Sequence, residues 1–345
     1  MKVKNLIKSI SLLFNFRFFV YLLINFTIWP FLKVLVREKK IFKFIFLAYP
    51  GTLQQAGYYG PSWFRRYTHF ISVIGTIWSK NPMRRGIVTT TPFLLEEFRE
   101  FSNEKILLEK TLNSAKEFSR SIGTPVVALA GRLPSLFLKH GLQLEYSFVK
   151  GDKGTVFTII ETLKTVINKE KLSIPRTTAG VVGVGFLGRR VLYELQKMGF
   201  QSIIGIDSDS QKIANQKIIG VQLSTNFKFL STCDLVFVLI GRGKDIEQKI
   251  SYFKSGTIII DDTHPPIPKT LRELIVQTKQ AKIYRAIVEL PGTEFKPTLA
   301  GYASNWLPGC VVEGIVISDG NNFNLSTQEE FNTKAREIGF KSIHI

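Results

Sequence analysis

The stretch AGVVGVGFLGRRVLYELQKMGFQSIIGIDSD, residues 179–209, decides the fold. Its glycines stand at Gly183, Gly185 and Gly188, and an acid, Asp207, follows nineteen residues beyond the last of them. The apolar run Thr178–Val182 before the glycines reads as a buried strand. Arg189–Met198 after them carries Val191, Leu192, Leu195 and Met198 at helical spacing, and Ser202–Ile206 reads as a second strand. In such a strand–turn–helix each glycine has its own task. Gly183 permits the tight turn, Gly185 lets backbone approach a pyrophosphate, and Gly188 lets helix and strand pack closely. Phe186 and Leu187 open the helix, whose unpaired N–H groups and positive dipole end attract phosphate. Glycines, flanking elements and the later acid together predict a dinucleotide site.

Strand–helix alternation extends in both directions from this unit. Downstream, strands are expected at 217–221, 235–240, 257–261 and 283–288. Upstream they are expected at 41–51, 85–93, 125–131 and 144–151. Residues 94–122 form a long helical pattern. A helix capped by Thr155 shows Val156, Ile159, Ile160, Leu163 and Ile167 on one side, and a last helix covers 327–338. The polar, proline-containing 168–178 reads as the domain junction. The expected fold is α/β: a substrate domain at 41–172, then a Rossmann-type doubly wound parallel sheet at 173–320. A C-terminal helix, within 321–345, returns to the first domain. Ligands of such sheets lie at the carboxyl ends of the strands. That directs attention to Gly241–Arg242–Gly243, to DDTHPP at 261–266 and to ELPG at 289–292.

The chain has 345 residues, with 46 Lys and Arg against 27 Asp and Glu, for a formal charge of +19. That excess suits an acidic partner or an anionic membrane surface. No zinc finger or aromatic RNA-binding strand is present to suggest nucleic acid. Two cysteines, Cys233 and Cys310, make no disulfide framework and no zinc cluster, so no metal is expected and a reducing, cytoplasmic compartment fits. SLLFNFRFFVYLLINFTIWPFLKVLVREKK, residues 11–40, is apolar, aromatic-rich, interrupted by Arg17 and Pro30, and basic at both ends. No small-residue cleavage site follows it. Residues 1–40 are therefore expected to dock in a membrane interface, with a single span or packing on the protein itself as alternatives.

Several stretches resemble the cyanobacterial-type long-chain acyl-[acyl carrier protein] reductases, which form fatty aldehydes. LNSAKEFSRSIGTPVVALAGRLPSL (112–136) resembles their helix–strand segment before the substrate site. KGDKGTVFTIIETLKTVI (150–167) resembles their TGN-containing loop and helix. FIFLAYPGTLQQAGYYGP (44–61) is similar to their opening strand, and TIIIDDTHP (257–265) to their IIDGGYP-like strand end. The resemblance implies reduction of an acyl thioester, carried by acidic acyl carrier protein or coenzyme A, with a nicotinamide cofactor. Shikimate-dehydrogenase-like and glutamyl-tRNA-reductase-like enzymes share the two-domain plan. They keep a small keto or hydroxy acid open as substrate, and a non-catalytic dinucleotide sensor is a further alternative.

The chain departs from that family where its chemistry resides. The family's dinucleotide loop resembles GATGDIG, whereas GVGFLG stands here. Its preference is NADPH. Asp207 suits the ribose hydroxyls of NAD and repels a 2′-phosphate, while nearby Arg189 and Lys212 keep NADP open. The family's thioester-forming cysteine aligns with Ser304, and Cys310 lies six residues on in YASNWLPGCVVEG (302–314). Pro308-Gly309 is expected to end the local helix before Cys310. A thiolate is a far better nucleophile than an unassisted hydroxyl, so Cys310 substitutes for the missing thiol or hydride attacks a bound carbonyl directly. For the direct route His264, at a strand end, and Lys153, in the loop matching the TGN segment, are candidate oxyanion stabilisers. Gly241 and Arg242 are candidate cofactor contacts. His69, His140 and His344 show no partner in sequence.

Overall fold

The computed structural model describes residues 19–20, 22–57, 71–94, 104–214, 218–299, 301–320 and 324–343. The chain forms two compact units. One comprises residues 1–151 and 290–339, the other 152–289 and 340–345.

The first unit is built on six strands: β1 (Phe44–Ala48), β2 (Ser72–Ser79), β3 (Gly86–Thr90), β4 (Val126–Leu129), β5 (Phe148–Val149) and β13 (Thr293–Lys296). Their order is β13-β2-β3-β1-β4-β5. β3, β1, β4 and β5 run parallel. β2 and β13 add an antiparallel edge, with a register break between Val73 and Gly75. β1 is buried throughout its first four residues, as a central parallel strand must be. Helix α1 (Trp29–Lys39) is held by Val36, which enters the core, and by Trp29, stacked on Phe118 at 5.5 Å. Asn25, just before it, exchanges two hydrogen bonds with the Val73 backbone at 2.8 and 3.1 Å. Helix α2 (Glu104–Ile122) buries Leu108, Leu112 and Ala115 at helical spacing.

The second unit has strands β6 (Thr178–Val182), β7 (Ser202–Ile206), β8 (Gln222–Ser224), β9 (Leu235–Val238), β10 (Ile258–Asp261) and β11 (Lys282–Arg285). Their order is β11-β10-β9-β6-β7-β8, all parallel. Alternate side chains serve two cores. Val181, Leu235, Phe237, Ile258 and Ile260 meet α3 (Asp152–Glu170) and α4 (Phe186–Lys197). Val182, Val236, Val238 and Ile259 meet Ile246, Phe253 and α5 (Lys269–Lys279). This is a doubly wound sheet whose strand order reverses between β6 and β9. The short pair β12 (Val288–Glu289) and β14 (Lys341–Ser342) completes the unit, with Phe340 edge-on to Phe157 at 6.2 Å.

Several expectations need correction. The units part at Gly151/Asp152 rather than after residue 172, because α3 spends its apolar face on the second core. Residues 290–320 belong to the first unit rather than to the unit of the all-parallel sheet. α3 starts at Asp152, so Thr155 lies inside it and does not cap it. The strand expected at 217–221 is a turn at Ile219-Gly220, and the strand itself is β8. The run expected at 283–288 splits into β11 and β12. Pro308-Gly309 does not end a helix: Pro308 caps α6 (Gly309–Ser318), which is buried along its length on β1 and β4. α7 (Gln328–Ile338) follows, with Thr327 and Glu330 in a reciprocal capping box. Of the N-terminal segment, residues 1–18 lie outside the described residues, as do 95–103 of the long helical pattern, His69 and His344. Among the described residues no helix is long and apolar enough to cross a membrane.

Candidate functional site

At the carboxyl end of β6 the three glycines take up three different constraints. Gly183 has φ +100°, and a Cβ there would lie 2.7 Å from the Leu239 carbonyl oxygen. A Cβ on Gly188 would strike the Gly183 carbonyl oxygen where α4 crosses the loop. At Gly185 the backbone is extended, and a Cβ would meet nothing within 4 Å. Gly185 is also the N-cap of α4, and no side chain caps the helix there. A cradle of open space therefore faces a helix N-terminus that lacks a side-chain cap, as an anionic phosphate requires. Phe186 is exposed, with the Arg190 guanidinium 4.8 Å from its ring centre, and Arg190 pairs with Asp152 at 2.6 Å.

Asp207 follows β7 and is buried. One carboxylate oxygen accepts the Val184 N–H at 2.9 Å, inside the glycine loop, and the other accepts the Asp209 N–H at 3.0 Å. The acid thus braces the loop it was expected to serve. Lys212 Nζ stands 3.4 Å from Asp207 and 3.8 Å from Asp209, so a cation lies beside the acid at the end of β7. After β9, Gly241 and Arg242 sit at the same carboxyl end of the parallel sheet. The Arg242 guanidinium is bound to Asp245 by two hydrogen bonds of 3.0 and 3.1 Å. The Gly243 N–H donates to the Pro265 carbonyl at 2.9 Å and ties this turn to the one after β10.

The turn after β10 holds a charged cluster. Asp261 accepts from the Thr263 N–H at 2.9 Å, the Thr263 hydroxyl at 2.6 Å and the Ile267 N–H at 3.1 Å, so it shapes the turn. Arg285, at the end of β11 and buried, lies 3.7 Å from Asp261 and 3.5 Å from His264 Nδ1. A guanidinium can only donate, which makes Nδ1 the acceptor and Nε2 the protonated nitrogen. Nε2 is 3.9 Å from Asp262. Burial, and then the Arg285 charge, push the imidazole pKa down to about 3, so His264 is neutral at physiological pH. Burial raises the Asp262 carboxyl well above the usual range, against the opposing pull of Arg285. Arg285 was not singled out in the sequence, whereas Asp262, within DDTHPP, was expected to cap or turn rather than to act chemically. A lone arginine in an otherwise apolar strand was the signal for the former.

The candidate catalytic residues divide between the units. Lys153 is the second residue of α3 and His264 follows β10, both in the second unit. Ser304 and Cys310 belong to the first. The Ser304 carbonyl accepts the Phe295 N–H at 2.7 Å in the turn before α6. Cys310 is 8% exposed, and Gly151, at φ +77°, passes so close that a Cβ on it would stand 2.7 Å from Cys310 Cβ. Among the described residues no group of His, Cys, Asp and Glu could hold a metal ion.

No protein-family model and no curated protein matches the chain. Among solved structures it is similar to shikimate 5-dehydrogenase from Thermus thermophilus, in complex with NADP(H) and shikimate. That likeness has 14% identity and a TM-score of 0.43, over 86% of this chain and 99% of that one. It is similar also to D-lactate dehydrogenase from Escherichia coli (14% identity, TM-score 0.33, 70% and 83%). A third similar structure is the dipicolinate synthase A chain from Bacillus subtilis (13% identity, TM-score 0.35, 67% and 69%). The fold assignment rests on the strand order and register given above.

Proposed function

We propose that the second unit binds NAD or NADP and that the protein is a nicotinamide-dependent oxidoreductase acting on a carbonyl or hydroxyl group. The observation that carries this is the open space at Gly185 before the N-terminus of α4, where no side chain caps the helix, with Asp207 bracing the loop. Gly183, Gly185 and Gly188 with the first turn of α4 would hold the pyrophosphate, and Asp207 with Lys212 would meet the ribose. When bound, the nicotinamide supplies or accepts hydride. His264, neutral with its proton on Nε2, is the donor suited to the substrate oxygen, and Arg285 holds the ring in that tautomer.

The seat of Cys310, wedged against Gly151 on a buried helix, supports direct hydride transfer over an acyl-enzyme. A small keto or hydroxy acid suits this arrangement, since direct transfer to a carbonyl needs only an oriented donor. A fatty acyl thioester on acyl carrier protein or coenzyme A keeps the support of the sequence resemblance. The test is titration of the full chain with NADH and NADPH, then NADH oxidation with a panel of 2-oxo acids and long-chain acyl thioesters. Turnover of one class alone decides between them. Tight NADH binding with no turnover favours a sensor, and no binding of either cofactor refutes the proposal.

A further inference from the structure

α1 is bound to the first unit on one side only. Val36 and Trp29, seven residues apart and so on one face, enter the core and stack on Phe118. Phe31, Val34 and Leu35 point the other way. Phe31 is 78% exposed, Val34 55% and, in the turn before the helix, Phe26 52%. Phe19, Leu23, Ile28 and Leu32 are exposed as well. Scattered apolar residues on a surface need no explanation, whereas a run of eight within residues 19–35 does.

The charge around this face selects its occupant. Residues 1–43 hold nine Lys and Arg and one acid, Glu38. On α1 itself Arg37 borders the apolar face on one side and Lys39 on the other, Lys33 lies beyond Arg37, and the acid Glu38 falls within the face one turn past Val34, all exposed. A second copy of the chain would bring the same cations to the contact and be repelled. An anionic lipid surface attracts them, while its acyl boundary takes up Phe26, Phe31 and Val34. We infer that residues 19–39 dock flat on an anionic membrane surface. The inner face of α1 stays on the first unit, so the segment lies in the interface and does not leave the protein to enter the bilayer.

The test is cosedimentation of the full chain with vesicles of phosphatidylcholine alone and of phosphatidylcholine with phosphatidylglycerol. The expected result is preferential binding to the anionic vesicles, by on the order of tenfold, that weakens with salt. Phe31→Glu/Val34→Glu should lower binding to anionic vesicles by at least about tenfold. Lys33→Glu/Arg37→Glu should lower it by roughly fivefold or more per cation. Both variants change exposed positions, and an unaltered circular-dichroism melt verifies their fold. Absence of vesicle binding by the wild-type chain overturns the inference, as does equal binding by Phe31→Glu/Val34→Glu. A concentration-dependent dimer in lipid-free solution that this variant abolishes overturns it too, since the face is then an interface between copies.

Discussion

The three glycines of the loop after β6 should fail in different ways when replaced. Gly183→Ala places a side chain at φ +100° and 2.7 Å from the Leu239 oxygen. The conformation costs about 1–2 kcal/mol and the overpacking about 1–3 kcal/mol. Together these amount to roughly 2–5 kcal/mol, or a fall in melting temperature of about 4–20 °C. Gly188→Ala drives its Cβ into the Gly183 carbonyl and costs about 1–3 kcal/mol by overpacking alone. Gly185→Val is different, because the backbone there is extended at φ −73° and a Cβ meets nothing within 4 Å. Its stability cost is that of a poorer N-cap, about 1 kcal/mol. Yet the added methyls fill the space proposed for the pyrophosphate, so NADH binding should weaken by more than about tenfold, or ~1.4 kcal/mol. Thermal melts and NADH fluorescence titration on the three variants separate loop architecture from ligand space. Wild-type NADH affinity in Gly185→Val, or a melt as low as that of Gly183→Ala, refutes the reasoning.

Asp207→Ala leaves the buried Val184 N–H without its acceptor and should lower stability by about 1–3 kcal/mol while shifting the measured NADPH-to-NADH preference upward. Lys212→Glu should shift that preference the other way, read by the same pair of titrations. The folded chain keeps His264 neutral down to about 3, whereas the unfolded chain takes up a proton near 6.5, so stability is lost as pH falls below 6.5. His264→Asn removes that loss, and its melting temperature relative to wild type should rise between pH 7 and pH 5. Cys310→Ala should keep whatever turnover the full chain shows, and mass spectrometry after incubation with an acyl thioester should find no adduct on Cys310. An adduct there restores the covalent route.

The glycine loop after β6 was legible because several signals coincide in it. β6 and β7 fall at the expected residues, since two short runs rich in Val and Ile flank one amphipathic helix and leave one reading. Apolar content misled at 217–221. Ile218 is buried but Ile219 is 88% exposed, and Gly220 at φ +75° turns the chain, so strand pairing falls to the more polar Gln222–Ser224 at the sheet edge. β13 was invisible because its partner lies far back in the chain. Thr293 faces Ser79 across the antiparallel edge, and no local pattern encodes that pairing. α6 has no polar face and hence no helical period, which fits a helix buried all round. The Arg285–His264 contact joins residues from different strand ends, so sequence shows its members without their meeting.

The interruption of the first unit has a consequence for synthesis. Its sheet lacks β13 and its β1–β4 face lacks α6 until the ribosome has passed residue 318. Residues 152–289 emerge in between, which takes roughly 7–28 s at ordinary elongation rates. Throughout that interval the edge of β2 and the apolar surface later covered by α6 are open to other chains. The nascent first unit therefore cannot complete its sheet or its core during that interval. Substitutions that slow the folding of residues 152–289 should reduce yield without changing the stability of the finished protein.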